Sequence, residues 1–248
     1  MLVSFFEEFP ERESLANLDL VSWPTKLYLA AGSFSEFRKL RSQVRNRNVK
    51  EVVYWPILHK REGYWISPFS RRKALLRVFS ELDRKKVPVL VDAELPTTQN
   101  PLLYFTQSFN FFRNKRLICD FVKKHDSYVA EYYPDGSFKD RLLSVFGLHF
   151  DSCKFNNKVV KMVYHSMHDF DEDFIRGEVA RGLRECGDNF IIGLGTIAEG
   201  VSGDEPILSV AQLKKDLGIA EELGVNEVII YRLGGLNKEY CSVIKRFL

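Results

Sequence analysis

Eight short apolar runs alternating with amphipathic segments over 248 residues predict a single (β/α)8 barrel. Three observations carry this expectation. The runs are near-continuously apolar, as parallel strands covered on both faces should be. The segments between them repeat apolar residues at helical spacing. The first run is followed by Glu7-Glu8-Phe9-Pro10, where the rival open, doubly wound sheet would carry a glycine-rich phosphate turn. Residues 1–248 read as one domain, without a linker or a low-complexity segment.

The elements follow in order. Leu2–Glu7 is the first strand, and Glu11–Thr25 leaves room for only a short helix. Lys26–Ala31 leads to a helix over Phe34–Asn46, with Phe34, Phe37, Leu40 and Val44 on one stripe. Lys50–Trp55 precedes Ser70–Lys85, where Ala74, Leu75, Val78, Phe79 and Leu82 share a face and Ser70 suits an N-cap. Val87–Asp92 pairs with Phe109–Lys124, Asp126–Glu131 with Phe138–Leu148, and Lys158–Tyr164 with Asp171–Cys186. Asn189–Leu194 is followed by Val210–Leu223, capped by Ser209, and Asn226–Arg232 by Asn237–Phe247. Gly187 and Gly224 stand where two of these helices should stop.

Composition narrows the class. Charged residues are 28% and the net charge is +3, too small to imply a nucleic-acid partner. The basic run Arg38 to Arg47 lies on a helix and reads as a solvated face. Cys119, Cys153, Cys186 and Cys241 form no CxxC or metal spacing, so reduced thiols in a cytoplasmic protein are expected. The N-terminal apolar run is too short and too soon acidic for a signal peptide, and no stretch is long enough to span a membrane. Four glutamines against plentiful Lys, Arg and Glu fit a thermophile. Nothing in the sequence bears on oligomeric state.

In such barrels the chemistry sits at the C-terminal ends of the strands. Strand four ends Val91-Asp92-Ala93-Glu94, and strand side chains alternate, so Asp92 and Glu94 face the same way. Two adjacent carboxyl groups can split their pKa values, leaving one protonated to act as an acid. Glu131 ends strand five, followed by Tyr132-Tyr133-Pro134, and Glu199 follows the Gly193-Leu194-Gly195-Thr196 turn. These make the catalytic candidates, with Tyr164. Tyr54, Trp55, Glu7, His165 and Arg232, all at strand ends, are the substrate-binding candidates. Of Glu7 and Glu8 only one can point inward; likewise for Lys161 and Tyr164, so a Schiff-base role for Lys161 competes with a role for Tyr164. Glu94, Glu131, His165 and Asp169 have no diagnostic metal spacing, and no metal or cofactor is expected. Tyr64 and Trp65 read equally as loop core or as sugar-stacking faces.

Three segments resemble the chitinase-like glycoside hydrolases. Leu27 to Phe37, with Ala31-Gly32-Ser33, resembles their Ser-x-Gly-Gly strand. Asp92-Ala93-Glu94 resembles the end of their DxxDxDxE motif, and Met162-Val163-Tyr164 their Met-x-Tyr. The sequence departs from that pattern at Pro88 and Leu90, where earlier acids are expected, at Ser33, and at His165, where an Asp is expected. The glycine strand is also second here and third in the family. The resemblance implies a barrel, Glu94 as the acid, and Asp92 and Tyr164 holding the substrate's acetamido group. A glycosidase acting on a carbohydrate or glycan is therefore the expectation. Two alternatives stand beside it: a lyase or isomerase whose glycines at 193–195 and 234–235 hold a phosphate, and a barrel without catalysis.

Overall fold

The computed structural model describes residues 1–132 and 137–248. Eight parallel strands close into a barrel in the order β1 to β8. They are β1 Leu2–Glu7, β2 Thr25–Ala31, β3 Val49–Pro56, β4 Val89–Asp92, β5 Ser127–Tyr132, β6 Lys158–Met162, β7 Phe190–Gly195 and β8 Glu227–Tyr231. The ring closes through β1 and β8, with Phe6 beside Tyr231. The barrel expected from the alternation of runs is thus the fold. The α-helices around it are α1 Arg12–Ala16, α2 Phe34–Arg41, α3 Arg72–Leu82, α4 Leu103–Thr106, α5 Phe111–Lys124, α6 Ser137–Phe146, α7 Ser152–Phe155, α8 Glu172–Cys186, α9 Val210–Glu222 and α10 Lys238–Ile244.

Boundaries shift where local chemistry intervenes. Strand β4 starts at Val89, not Val87, because Pro88 has no N–H for the ladder; its carbonyl still accepts from Tyr54 N–H at 2.9 Å. Helix α3 starts at Arg72, since the Ser70 hydroxyl is engaged with Ser67 N–H and the Trp65 carbonyl. Ser209 does cap α9, accepting from Gln212 N–H, and Ser33, not expected as a cap, accepts from Glu36 N–H at the start of α2. Gly187 and Gly224 end α8 and α9 in positive-φ conformations, +55° and +78°.

Strand parity sorts the side chains into two cores. Val3, Leu27, Leu29, Val91 and Val129 face outward into the helix layer with Leu75, Ile118 and Leu213. Phe6, Tyr28, Val53, Leu90, Tyr128, Val160, Ile191 and Ile229 fill the barrel. Below them a polar plug closes the N-terminal end. Glu227 accepts from Ser4 Oγ at 2.7 Å, Lys26 Nζ at 2.7 Å and Tyr28 OH at 3.0 Å. Tyr128 OH donates to Glu51 at 2.9 Å and accepts from Lys158 Nζ at 2.9 Å. With one end plugged and the middle packed, open space is left at the C-terminal end.

Candidate active site

A cavity of about 270 Å³ opens at that end. Its floor is the top layer of inward side chains: Phe6, Trp55, Ala130, Met162 and Tyr231. Asp92 and Glu94 rise from the end of β4 on one side, with Glu8 from β1 and Tyr164 beyond β6. Two loops make walls, one through Leu95, Thr97 and Thr98, the other through Val201, Ser202 and Glu205. Trp65, Met167, His168 and Thr196 complete the lining.

The carboxyl groups differ in environment. Asp92 is 2% exposed, and burial raises its pKa well above the ordinary value. The charges of Glu94 and then Glu8 add to this, as does a hydrogen bond to Glu94. Glu8 is also pushed up by burial, although Tyr231 and Tyr64 donate to its carboxylate, Tyr64 at 2.7 Å. Burial raises Glu205 too, but N–H donors from Ser202, Gly200 and Gly203 at 2.8–3.0 Å outweigh it and hold the carboxyl below its usual range. Tyr164 is half-buried, and burial followed by the charges of Asp92, Glu94 and Glu8 keeps its phenol protonated.

Two buried atoms facing this cavity lack hydrogen-bond partners among the described residues. They are Asp92 Oδ1 and Trp55 Nε1, although the Trp55 indole lies close enough to Asp92 to pull its carboxyl pKa down a little against burial. Buried polar atoms are normally satisfied, so an acceptor and a donor that make no well-formed hydrogen bond, even with each other, mark where a ligand would bond.

The sequence candidates divide by parity and reach. Asp92, Glu94, Tyr164 and Trp55 come together in the cavity. Glu131 follows Ala130, which faces inward, and so points outward. It meets Lys161 Nζ at 2.6 Å, His149 Nδ1 at 2.8 Å and Phe150 N–H at 2.7 Å. Lys161 therefore lies outside the barrel, and Tyr164 takes the inward direction. Glu7 also faces outward, accepting from Arg232 at 3.0 Å and from Gly234 N–H at 2.7 Å. Burial raises its pKa to about 7 against the pull of Arg232. Arg232 also donates to the Glu199 carbonyl at 2.8 Å, and the Glu199 side chain is exposed to solvent. Tyr54 packs outward on Phe37, with ring centroids 4.8 Å apart. His165 Nδ1 lies 3.3 Å from Asp216, behind the cavity wall. Tyr133 lies outside the described residues.

Tyr231 and Glu205 line the cavity without standing among the sequence candidates, and Glu8 lines it in place of Glu7, the member of that pair expected to bind substrate. The choice between Glu8 and Glu7 needed only the inward parity of Phe6. Glu205 sits on an irregular loop, where no periodicity sets direction. Among the described residues, no group of three or more His, Cys, Asp or Glu is placed to hold a metal ion. No helix there is long and apolar enough to cross a membrane.

No protein-family model matches the sequence, and no curated protein matches it. Solved structures do. The glycoside hydrolase domain of PgaB (BpsB) from Bordetella bronchiseptica is 13% identical with a TM-score of 0.61, covering 99% of this chain and 98% of that one. A chitinase from Chromobacterium violaceum is 9% identical with a TM-score of 0.58, again covering 99% and 98%. A putative alpha-L-fucosidase from Bacteroides thetaiotaomicron is 8% identical with a TM-score of 0.56, covering 98% and 91%. The chain thus has the barrel fold of glycoside hydrolases, chitinases among them.

Proposed function

We infer that this protein is a glycoside hydrolase acting on a glycan that bears an N-acyl amino sugar, with Glu94 as general acid. The observation that carries this is the Asp92–Glu94 pair at the end of β4, facing a cavity that also holds Tyr164 and Trp55. Asp92 Oδ1 can accept a hydrogen bond and the Trp55 indole can only donate one. An amide offers both complements, its N–H to Asp92 and its carbonyl to Trp55 or to the Tyr164 phenol. This matches the role that the resemblance to chitinase-like enzymes gives Asp92 and Tyr164.

The chemistry follows from this placement. Glu94 delivers its proton to the glycosidic oxygen as the bond from that oxygen to C1 breaks. The substrate's acyl oxygen attacks C1 and closes a ring, and Asp92 accepts from the amide N–H as the nitrogen gains positive charge. Water, deprotonated by the Glu94 carboxylate, then opens the ring at C1 and restores the acid. The cavity supports a sugar over an anion. Among the described residues no Lys or Arg lines it, whereas four carboxyl groups do. The phosphate reading finds no support at Gly234 and Gly235: Gly234 N–H donates to Glu7, and Gly235 N–H to the Arg232 carbonyl at 3.1 Å.

A panel of aryl glycosides, including N-acetylglucosaminides, tests the inference. The wild-type chain should hydrolyse at least one of them. Glu94→Gln should lose about 10²- to 10⁴-fold in rate with an unchanged melting temperature. No turnover of any panel member, or full activity in Glu94→Gln, removes the reading and favours a barrel without catalysis.

A further inference from the structure

Four of the large apolar side chains most open to solvent stand within eleven residues: Leu102 at 69% exposure, Phe105 at 78%, Phe109 at 94% and Phe112 at 81%. They recur at intervals of three, four and three along a chain that is helical, apart from Gln107, from Leu103 to Lys124, and so occupy one side. The other side is anchored. Leu103 is buried, Tyr104 and Phe111 pack on Phe69, and Asn114 donates to the Pro68 and Ser70 carbonyls at 2.9 and 3.1 Å. With that side fixed, the phenylalanines cannot turn into the core. A contiguous apolar stripe held outward in this way marks an interaction surface.

Charge decides what it fits. Residues 101–124 carry five basic side chains against the single acid Asp120; Lys115 is held by the Ser144 and Val145 carbonyls and Lys123 lies over the Phe155 ring, so Arg113, Arg116 and Lys124 are the exposed cations that remain. A second copy docked about a two-fold axis would set these cations against their own counterparts. Phenylalanine and leucine are among the side chains that surface helices bury at the acyl boundary, opposite a basic face. We propose that this stripe docks the protein on an anionic lipid bilayer, the apolar side chains entering the acyl boundary and the cations meeting lipid phosphates. The surface belongs to the same end of the barrel as the cavity, because a helix following a parallel strand begins where that strand ends. Thr97 and Thr98 line the cavity, and Thr97 is hydrogen-bonded to Tyr104 OH at 2.6 Å. Docking therefore brings one wall of the cavity to the headgroup level.

Vesicle flotation of the full chain tests this independently of the glycosidase inference. Vesicles of phosphatidylcholine with phosphatidylglycerol should carry the protein, and those of phosphatidylcholine alone should carry far less. The variant F109S/F112S, whose replaced rings are solvent-exposed, should melt as wild type and lose on the order of a hundredfold in partition. Charge reversal by R113E/R116E should remove the preference for the anionic lipid. No flotation with anionic vesicles at low salt, or equal flotation of F109S/F112S, overturns the proposal. So does a wild-type dimer in light scattering that F109S/F112S converts to monomer, since the stripe would then be a self-interface.

Discussion

Replacing Lys161 by Met breaks an ion pair that lies between the barrel and its helices. Lys161 Nζ is 2.6 Å from Glu131 Oε2, and the two side chains are 5% and 0% exposed. Removing one partner of such a pair costs about 3–5 kcal/mol, because the other charge stays buried without it. Glu131 keeps His149 and the Phe150 N–H, so the lower end, about 3 kcal/mol, is expected. For a chain of this size that is a fall of roughly 6–12 °C in melting temperature. Burial alone would raise the Glu131 pKa, but Lys161 foremost, and then His149, hold it below its usual range. A depressed carboxyl contributes stability above its unfolded pKa and loses it as pH falls through the folded one. The deficit of Lys161→Met should therefore be largest near neutral pH and shrink as pH falls through the carboxylate range. The double variant Lys161→Met, Glu131→Leu should recover most of the loss, since both charges are gone. Thermal melts of the wild type, both single variants and the double variant at two pH values give the cycle. A Lys161→Met loss under about 1 kcal/mol, or a double variant no more stable than Lys161→Met, refutes the reasoning.

Asp92→Asn should gain stability relative to wild type as pH rises from acid toward neutral. The raised carboxyl pKa means that the wild type loses stability above the unfolded pKa, and Asn does not titrate; a gap between denaturant midpoints that does not change with pH would contradict this. Gly235→Ala should destabilise by about 3 kcal/mol, as a Cβ there would lie 1.7 Å from the Ile197 carbonyl oxygen and backbone must move. Gly177→Ala should instead stabilise α8 by about 0.5–1 kcal/mol, since a Cβ there meets nothing within 4 Å. Denaturant curves for the two glycine variants should move in opposite directions.

Much of the fold was legible because two periodicities are written locally. Apolar runs of strand length and stripes of helical spacing mark all eight strands and the main helices, with ends displaced by Pro88 or Ser70. The same-face placement of Asp92 and Glu94 needs only the two-residue period of one strand. The site was legible in part. Parity within a strand says that Glu7 and Glu8, or Lys161 and Tyr164, must point opposite ways, but not which one points in.

The sequence by itself determined the alternation of elements, and from it the barrel and the location of the acid pair at the end of β4. Tertiary structure alone decided which parity faces the interior. Closing the ring turned Phe6, and with it Glu8, inward, and sent Glu7 and Glu131 out to Arg232 and Lys161. It also brought Glu205 to the cavity on a loop shaped by its own N–H donors. The physical reason is range. Periodicity is a property of neighbouring residues, whereas the inward direction exists only when strands far apart in sequence enclose a common axis.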